Sequence, residues 1–303
     1  MSAAPDMSAR TWAELALLAL IWGGSFLAIR TALDEIPFVT SVAFRVGLAA
    51  AVLWGWCALR GLRPPRDPRL WGALLGMGML NNVLPFSLMA WGQLSIETGL
   101  TAILNAGTAV FGVLAAALLL PDERLTPRRA LGVALGFLGV ATAIGLGNLA
   151  TLDLRSLAQL AVVAGTVSYA LAGVWGRVTL RGLDPRLSAA GMLTGSSLVM
   201  IPAALWIDGP VWPTEATTWV GILYYAVIAT AVAYLLYFRL LATAGAGNLM
   251  LCTLLVAPVS ILLGAWIRDE VLGPGTYAGF ALLAVGLAVI DGRLFRVLRR
   301  APN

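Results

Sequence analysis

Two stretches of the chain carry the same six residues in the same order, 147 residues apart. The first holds Asp122, Glu123, Leu125, Pro127, Gly132 and Gly139; the second holds Asp269, Glu270, Leu272, Pro274, Gly279 and Gly286. The flanking sequence is divergent and apolar, so one constant offset indicates two halves of one architecture. A repeat of this length is settled before any local feature is read. The halves are taken as 1–148 and 149–303.

Composition says what each half is made of. Of 303 residues 60% are hydrophobic and only 12% charged, with mean hydropathy +0.88, where a soluble domain is nearer a quarter charged. Apolar runs recur at 11–29, 40–59, 70–92, 98–120 and 127–146, then at 157–176, 186–206, 217–238, 247–267 and 275–291. Each is long enough to cross a hydrocarbon core of about 30 Å as a helix. The expected fold is therefore an all-α polytopic membrane protein with ten transmembrane helices, five per repeat. Five being odd, the second copy enters the bilayer in the opposite direction, which makes the repeats inverted.

The net charge of +5 does not mark a nucleic-acid surface. All 20 basic residues are arginine. With helix 1 entering from the cytoplasm, 16 of them fall in cytoplasmic segments, against Arg30, Arg155 and Arg268 on the other face and Arg45 inside helix 2. That bias is the positive-inside signature and puts both termini in the cytoplasm. Arg124, Arg128 and Arg129 flank the first Asp-Glu pair and only Arg268 the second, as expected of loops on opposite faces. The first apolar run is needed to match five helices with five and lacks a convincing cleavage pattern, so it is taken as a retained helix. Cys57 and Cys252 both lie within spans and are expected as free, apolar thiols.

Inverted repeats are a recurring plan of secondary transporters, with the substrate site near the midplane between the halves. Candidate residues were sought there. Trp22, beside Gly23, Gly24 and Ser25, has Tyr169 as its mate in the second half. The bland alternative is that both aromatics pack or face lipid. In helix 3, Gly78, Asn81, Asn82, Pro85 and Met89 share a face by helical spacing. Two mid-membrane amides need partners, and Pro85 leaves the Asn81 carbonyl without its amide. Helix-to-helix hydrogen bonding competes with substrate contact as the use of each amide. Thr101, Asn105, Thr108 and Gly112 form a stripe on helix 4, and Asn248 and Cys252 on helix 9 occupy the positions equivalent to Thr101 and Asn105. Of four tyrosines on helix 8, Tyr225, the mate of Gly78, is the preferred inward one. Arg45 lies so near its helix end that snorkelling or a structural pair ranks ahead of a functional role. Thr126-Pro127 and Gly273-Pro274 are expected to start helices 5 and 10. The glycines that follow suit close helix pairing rather than ligand contact.

Several chemistries have no residues to carry them. There is no histidine. Two distant cysteines make no zinc site, no metal or cofactor is expected, and no phosphate-cradling Gly-Lys motif is present. No acidic residue falls at the centre of a span, which favours facilitated diffusion over coupling through a buried carboxylate. A membrane enzyme would have only the two Asp-Glu loops for acid chemistry, and these lie on opposite faces. A receptor-like protein would show no flux and would tolerate Asn81→Leu with Asn82→Leu.

The Trp22 to Phe26 start, the Phe44-Arg45 pair and the duplicated Asp-Glu-x-Leu-x-Pro with its following glycines resemble the EamA-type members of the drug/metabolite transporter superfamily. The resemblance covers essentially the whole chain and is closest to bacterial aromatic amino acid exporters. It implies ten helices, cytoplasmic termini and a central cavity lined mainly by helices 1, 3, 4, 6, 8 and 9. The expected function is export of amino acids, aromatic and other neutral ones, across a bacterial inner membrane by alternating access. Multidrug or sugar-phosphate export is the alternative within the superfamily. The expected partners are a small-molecule substrate and the lipid bilayer. A chain holding both orientations can form its pathway as a monomer.

Overall fold

The structure, a computed structural model, describes residues 8–121, 124–144, 154–237, 239–240 and 251–291. Among these residues every regular element is helical: α1 Ala9–Ala32, α2 Phe38–Leu59, α3 Pro68–Gly78, α4 Leu84–Gly92, α5 Thr98–Ala106, α6 Thr108–Leu119, α7 Pro127–Ile144, α8 Leu154–Thr179, α9 Pro185–Ile207, α10 Ala216–Leu223, α11 Leu251–Arg268 and α12 Pro274–Asp291. Eight helical stretches are long and apolar enough to span a membrane, counting α3 with α4, α5 with α6, and α10 with the helical residues through Tyr237 as continuous, and 255–268 and 274–290 are shorter apolar helices. Asp122, Glu123 and Asn248 lie outside the described residues.

Local chemistry sets the ends. Ser8, Asp67 and Asp184 cap α1, α3 and α9 by accepting from Thr11 N, Arg69 N and Arg186 N, and Pro68 and Pro185 open the helices behind two of these caps. The expected cap at Thr126 is present, its hydroxyl accepting from Arg129 N.

The exposed side chains include many large hydrophobics, such as Leu118, Leu198, Trp206 and Trp266, as lipid contact requires. The interior is held together instead by close backbones. In the contact between α7 and α12 a Cβ on Gly139 would stand 2.8 Å from Gly279 O, and one on Gly279 would stand 2.6 Å from Gly139 O; Gly132 and Gly286 oppose each other in the same reciprocal way. Only glycine allows this approach, and dispersion over such faces, rather than hydrophobic burial, drives helix association in lipid.

Packing exchanges between the halves: α1 lies on α11 and on α10, while α8 lies on α5–α6 and on α4; α2 packs on α9. A chain of polar contacts ties one end of the bundle. Arg268 and Arg30 reach Asp34 at 2.7 and 3.4 Å, Arg155 reaches Glu97 at 2.7 Å, Asp208 accepts from Thr40 N at 2.9 Å, and Glu270 accepts from Thr98 N at 3.0 Å. At the opposite end Glu14 meets both Arg10 and Arg239 at 3.0 Å.

Candidate functional site

Two spans break from α geometry at matching places. The backbone from Met79 to Val83 and from Tyr224 to Val232 is π-helical, and the first segment shifted by the repeat offset falls inside the second. π-bulges free carbonyls and recur at functional sites. In the first segment the Leu84 amide bonds Met79 O, five residues back. In that register Pro85 frees the carbonyl of Leu80 and not that of Asn81, correcting the sequence expectation. Ser168 of α8 donates to Leu80 O at 2.7 Å. In the second segment Thr230 donates to Tyr225 O at 2.7 Å, and Trp22 Nε1 of α1 reaches Ala229 O at 3.2 Å. Each break is thus served by the first helix of the other half.

A connected polar and aromatic cluster lies between these breaks. Asn82 is fully buried, donating from Nδ2 to Ser196 Oγ at 3.0 Å and accepting from the Tyr234 hydroxyl at 3.2 Å. Asn81 donates to the same Tyr234 oxygen at 3.1 Å and lies 3.7 Å from Met192 Sδ. Trp22 is half-buried, its ring 5.9 Å from that of Tyr237. Tyr169 is half-buried and edge-on to Phe86 at 6.5 Å, with no hydrogen bond on its hydroxyl among the described residues.

Arg45 sits in the same place. Its guanidinium carbon is 3.7 Å above the Phe86 ring and 6.0 Å from the Tyr225 ring, and Nε donates to Thr230 Oγ1 at 3.0 Å. Tyr169, Tyr234 and Tyr225 are near enough to interact with its charge. Snorkelling is therefore not what this arginine does. At seven residues from the start of α2 it is about 10 Å along the axis, and its head turns inward onto Phe86.

The remaining nominated residues are placed differently. Ser25 is buried and bonds backward to Trp22 O at 2.6 Å, within its own helix. Tyr225 is completely buried with its hydroxyl 2.9 Å from Ser41 Oγ, so it fastens the second π segment to α2. Asn105 is the penultimate residue of α5, two before the break at Gly107, and its buried Oδ1 has no hydrogen-bond partner among the described residues. The structure thus brings Trp22, Asn81, Asn82 and Tyr169 into the cluster, together with Arg45, Phe86, Tyr234 and Tyr237. Gly78 shares the helix 3 stretch but is closed against α9, where a Cβ would meet Met192 O at 2.5 Å.

A cleft of about 430 Å³ near the Glu14 end is lined by Trp56, Arg60, Asp184, Arg186, Leu235 and Arg239. The side-chain hydrogen bond from Arg186 holds the Asp184 carboxyl below its ordinary range, and Arg239 of the same lining pairs with Glu14. No group of acidic, histidine or cysteine side chains among the described residues is arranged to hold a metal.

The fold and the sequence have counterparts among known proteins. A solved crystal structure superposes with a TM-score of 0.69 over 96% of this chain and 99% of that one; at 20% identity this speaks to the fold alone. Over 302 residues, 98% of each chain, the sequence is 27% identical to a protein of Streptantibioticus cattleyicolor named "Probable terminal-alkyne amino-acid exporter". It is 26% identical over 199 residues, 61% of this chain and 63% of the other, to the "Uncharacterized inner membrane transporter YedA" of Escherichia coli K12. The model of the EamA-like transporter family matches twice, at 11–145 and 156–291. With two tandem matches over nearly its whole length, the chain belongs to the EamA-like transporter family.

Proposed function

We propose that the protein exports amino acids, aromatic and other neutral ones, across the inner membrane, by alternating access between two inverted five-helix halves, 1–148 and 149–303, with both termini cytoplasmic. The observation that carries this is the interior cluster. Two halves contribute Trp22, Phe86, Tyr169, Tyr234 and Tyr237 as an aromatic wall, and paired amides sit at the break in one of its spans. Such a wall takes an apolar side chain by stacking, while amides and freed carbonyls serve the polar backbone end. The full-length relative named as an amino-acid exporter supports the same substrate class.

The exchange of packing between halves supports inversion, because α1 on α11 is answered by α8 on α5–α6. With the eight long spans, the two shorter apolar helices would bring the count to ten. A single chain contains both halves of the site and works as a monomer. Trp22, Asn81, Asn82 and Tyr169 are the substrate contacts; Ser25 and Tyr225 hold the surrounding backbone.

Radiolabelled phenylalanine in proteoliposomes tests the reading. Protein-dependent flux, saturable and inhibited by other neutral amino acids, is expected. Absence of protein-dependent flux for every neutral amino acid tried refutes it.

A further inference from the structure

We infer that Arg45 is the carboxylate receptor of the interior site, and that a carboxylate rather than an amine is the group a transported molecule must carry. This deepens the reading of the protein as an exporter of amphipathic solutes and rests on it. One edge and one face of the guanidinium are already fixed. Nε is held by Thr230, whose hydroxyl is in turn anchored on Tyr225 O, and Phe86 lies beneath the plane. The two Nη nitrogens make no hydrogen bond or ion pair with the described residues, yet they are not sealed off: the side chain is half-buried and neither nitrogen is enclosed. Two parallel N–H groups facing open interior space match the geometry of a carboxylate.

The charge balance points the same way. No ion pair joins Arg45 to an acid among the described residues: Glu14, Asp34, Glu97 and Asp184 pair with other arginines, and Glu35, Asp208 and Glu270 with backbone and hydroxyl groups at a bundle end. Taking an unpaired charge out of water costs several kcal/mol, and a ring face returns at most about 2 kcal/mol. An intramembrane charge held at that cost, and lacking an acidic partner among the described residues, takes its counter-charge from the ligand. The interior offers an ammonium only neutral acceptors and ring faces, beside a guanidinium whose like charge repels it. Carboxylates without an amine are therefore accepted, and amines without a carboxylate are rejected.

The experiment uses the full chain in proteoliposomes loaded with labelled phenylalanine, with 3-phenylpropionate and phenethylamine as competitors, in wild type, Arg45→Lys and Arg45→Gln. Phenylpropionate is expected to compete and phenethylamine to have no effect. Arg45→Gln raises KM for phenylalanine about 10- to 100-fold, the span of a hydrogen bond between charged groups, and Arg45→Lys falls between. Equal competition by the amine, or an unchanged KM in a monodisperse Arg45→Gln protein, overturns the inference. If Arg45→Gln does not fold, the wild-type competition alone decides. If phenylalanine itself is not carried, labelled phenylpropionate replaces it. Flux that Arg45→Lys weakens then upholds the carboxylate receptor while the amino-acid reading falls; no flux of either compound, and no quenching of tryptophan fluorescence by phenylpropionate, overturns both.

Discussion

Glu270, the acid of the second repeat motif, joins the two halves at one end of the bundle, and neutralising it is expected to shift the balance between conformers. Helix α5 begins without a side-chain cap of its own, since Glu97 makes no capping bond and pairs with Arg155 instead. The cap comes from the other half. Glu270 accepts from Thr98 N at 3.0 Å, from the Thr98 hydroxyl, and from Gly99 N at 3.4 Å. A charged acceptor at a helix N-terminus contributes about 0.3–2 kcal/mol through the dipole, and a hydrogen bond to an ion exceeds a neutral one by about 1 kcal/mol. Glu270→Gln keeps the shape, loses the charge, and so gives up about 1–2 kcal/mol, a 5- to 30-fold shift toward states in which α5 and the α11–α12 loop separate. Spin labels at Leu94→Cys and Val271→Cys report that separation, since both sites are exposed and the native Cys57 and Cys252 are fully buried. The expected result is a second, longer distance population in Glu270→Gln. An unchanged distance distribution at the same protein fold refutes the latch.

The double change Asn81→Leu with Asn82→Leu removes the partners of Tyr234 and Ser196 and is expected to abolish flux while costing only about 1–2 kcal/mol of stability; retained flux rejects the cluster as the site. Gly279→Ala drives a Cβ to 2.6 Å from Gly139 O and is expected to cost about 1–3 kcal/mol, whereas Gly55→Ala, which meets nothing within 4 Å, does not lower the thermal midpoint. Hydrogen bonds from the Thr218 side chain and from the Thr214 backbone and hydroxyl hold Glu35 at a pKa of about 2 against an ordinary 4.5. A depressed carboxylate stabilises above the unfolded value and loses that contribution as pH falls through the folded one. The melting difference between wild type and Glu35→Gln should thus be full above pH 4.5 and vanish toward pH 2, as read by thermal scans across that range.

Much of the fold was legible because the bilayer admits few solutions. Each expected span coincides with a helix to within a few residues wherever the chain is described, and the glycines after Pro127 and Pro274 do pair α7 with α12. The site was harder, and the reason is geometric. A π segment adds a residue to a turn, which rotates everything beyond it by about 100° relative to uninterrupted α phase. On helix 8 the repeat offset, which makes Tyr225 the mate of Gly78, favoured Tyr225, which is bound to Ser41, over Tyr234 beyond the π segment, which holds both amides. Pro85 was the visible signal of the first break; nothing comparable marks the second, where Tyr224 to Val232 holds no proline or glycine. For Arg45, distance from the helix end suggested the interface. What counted was the ring of Phe86, distant in sequence and on another helix but adjacent in space, which the single sequence does not pair with it.

The repeat supplies the shape of the site, and its divergence supplies the chemistry. Trp22 and Tyr169 are mates and both remain aromatic, one bonded to a π-segment carbonyl and one against Phe86. Arg45 has Met192 as its mate, and that sulfur also reaches the cluster, touching Asn81 Nδ2. Equivalent positions on α2 and α9 thus approach the same interior, but only one is charged. Asn81 and Asn82 likewise correspond to Ile228 and Ala229, so both the charge and the amides come from the first half. Under the proposed alternating access, a ligand anchored on Arg45 would stay with α2 while the second half presents Tyr169, Tyr234 and Tyr237 as the wall. Transferring the charge across the axis, with Arg45→Met and Met192→Arg together, should keep the electrostatic need for a carboxylate but detach it from Thr230 and Phe86. Flux restored to near wild type by the exchange would show that the cluster reads charge alone; flux lost in the exchange, with the protein folded, is the result this asymmetry requires.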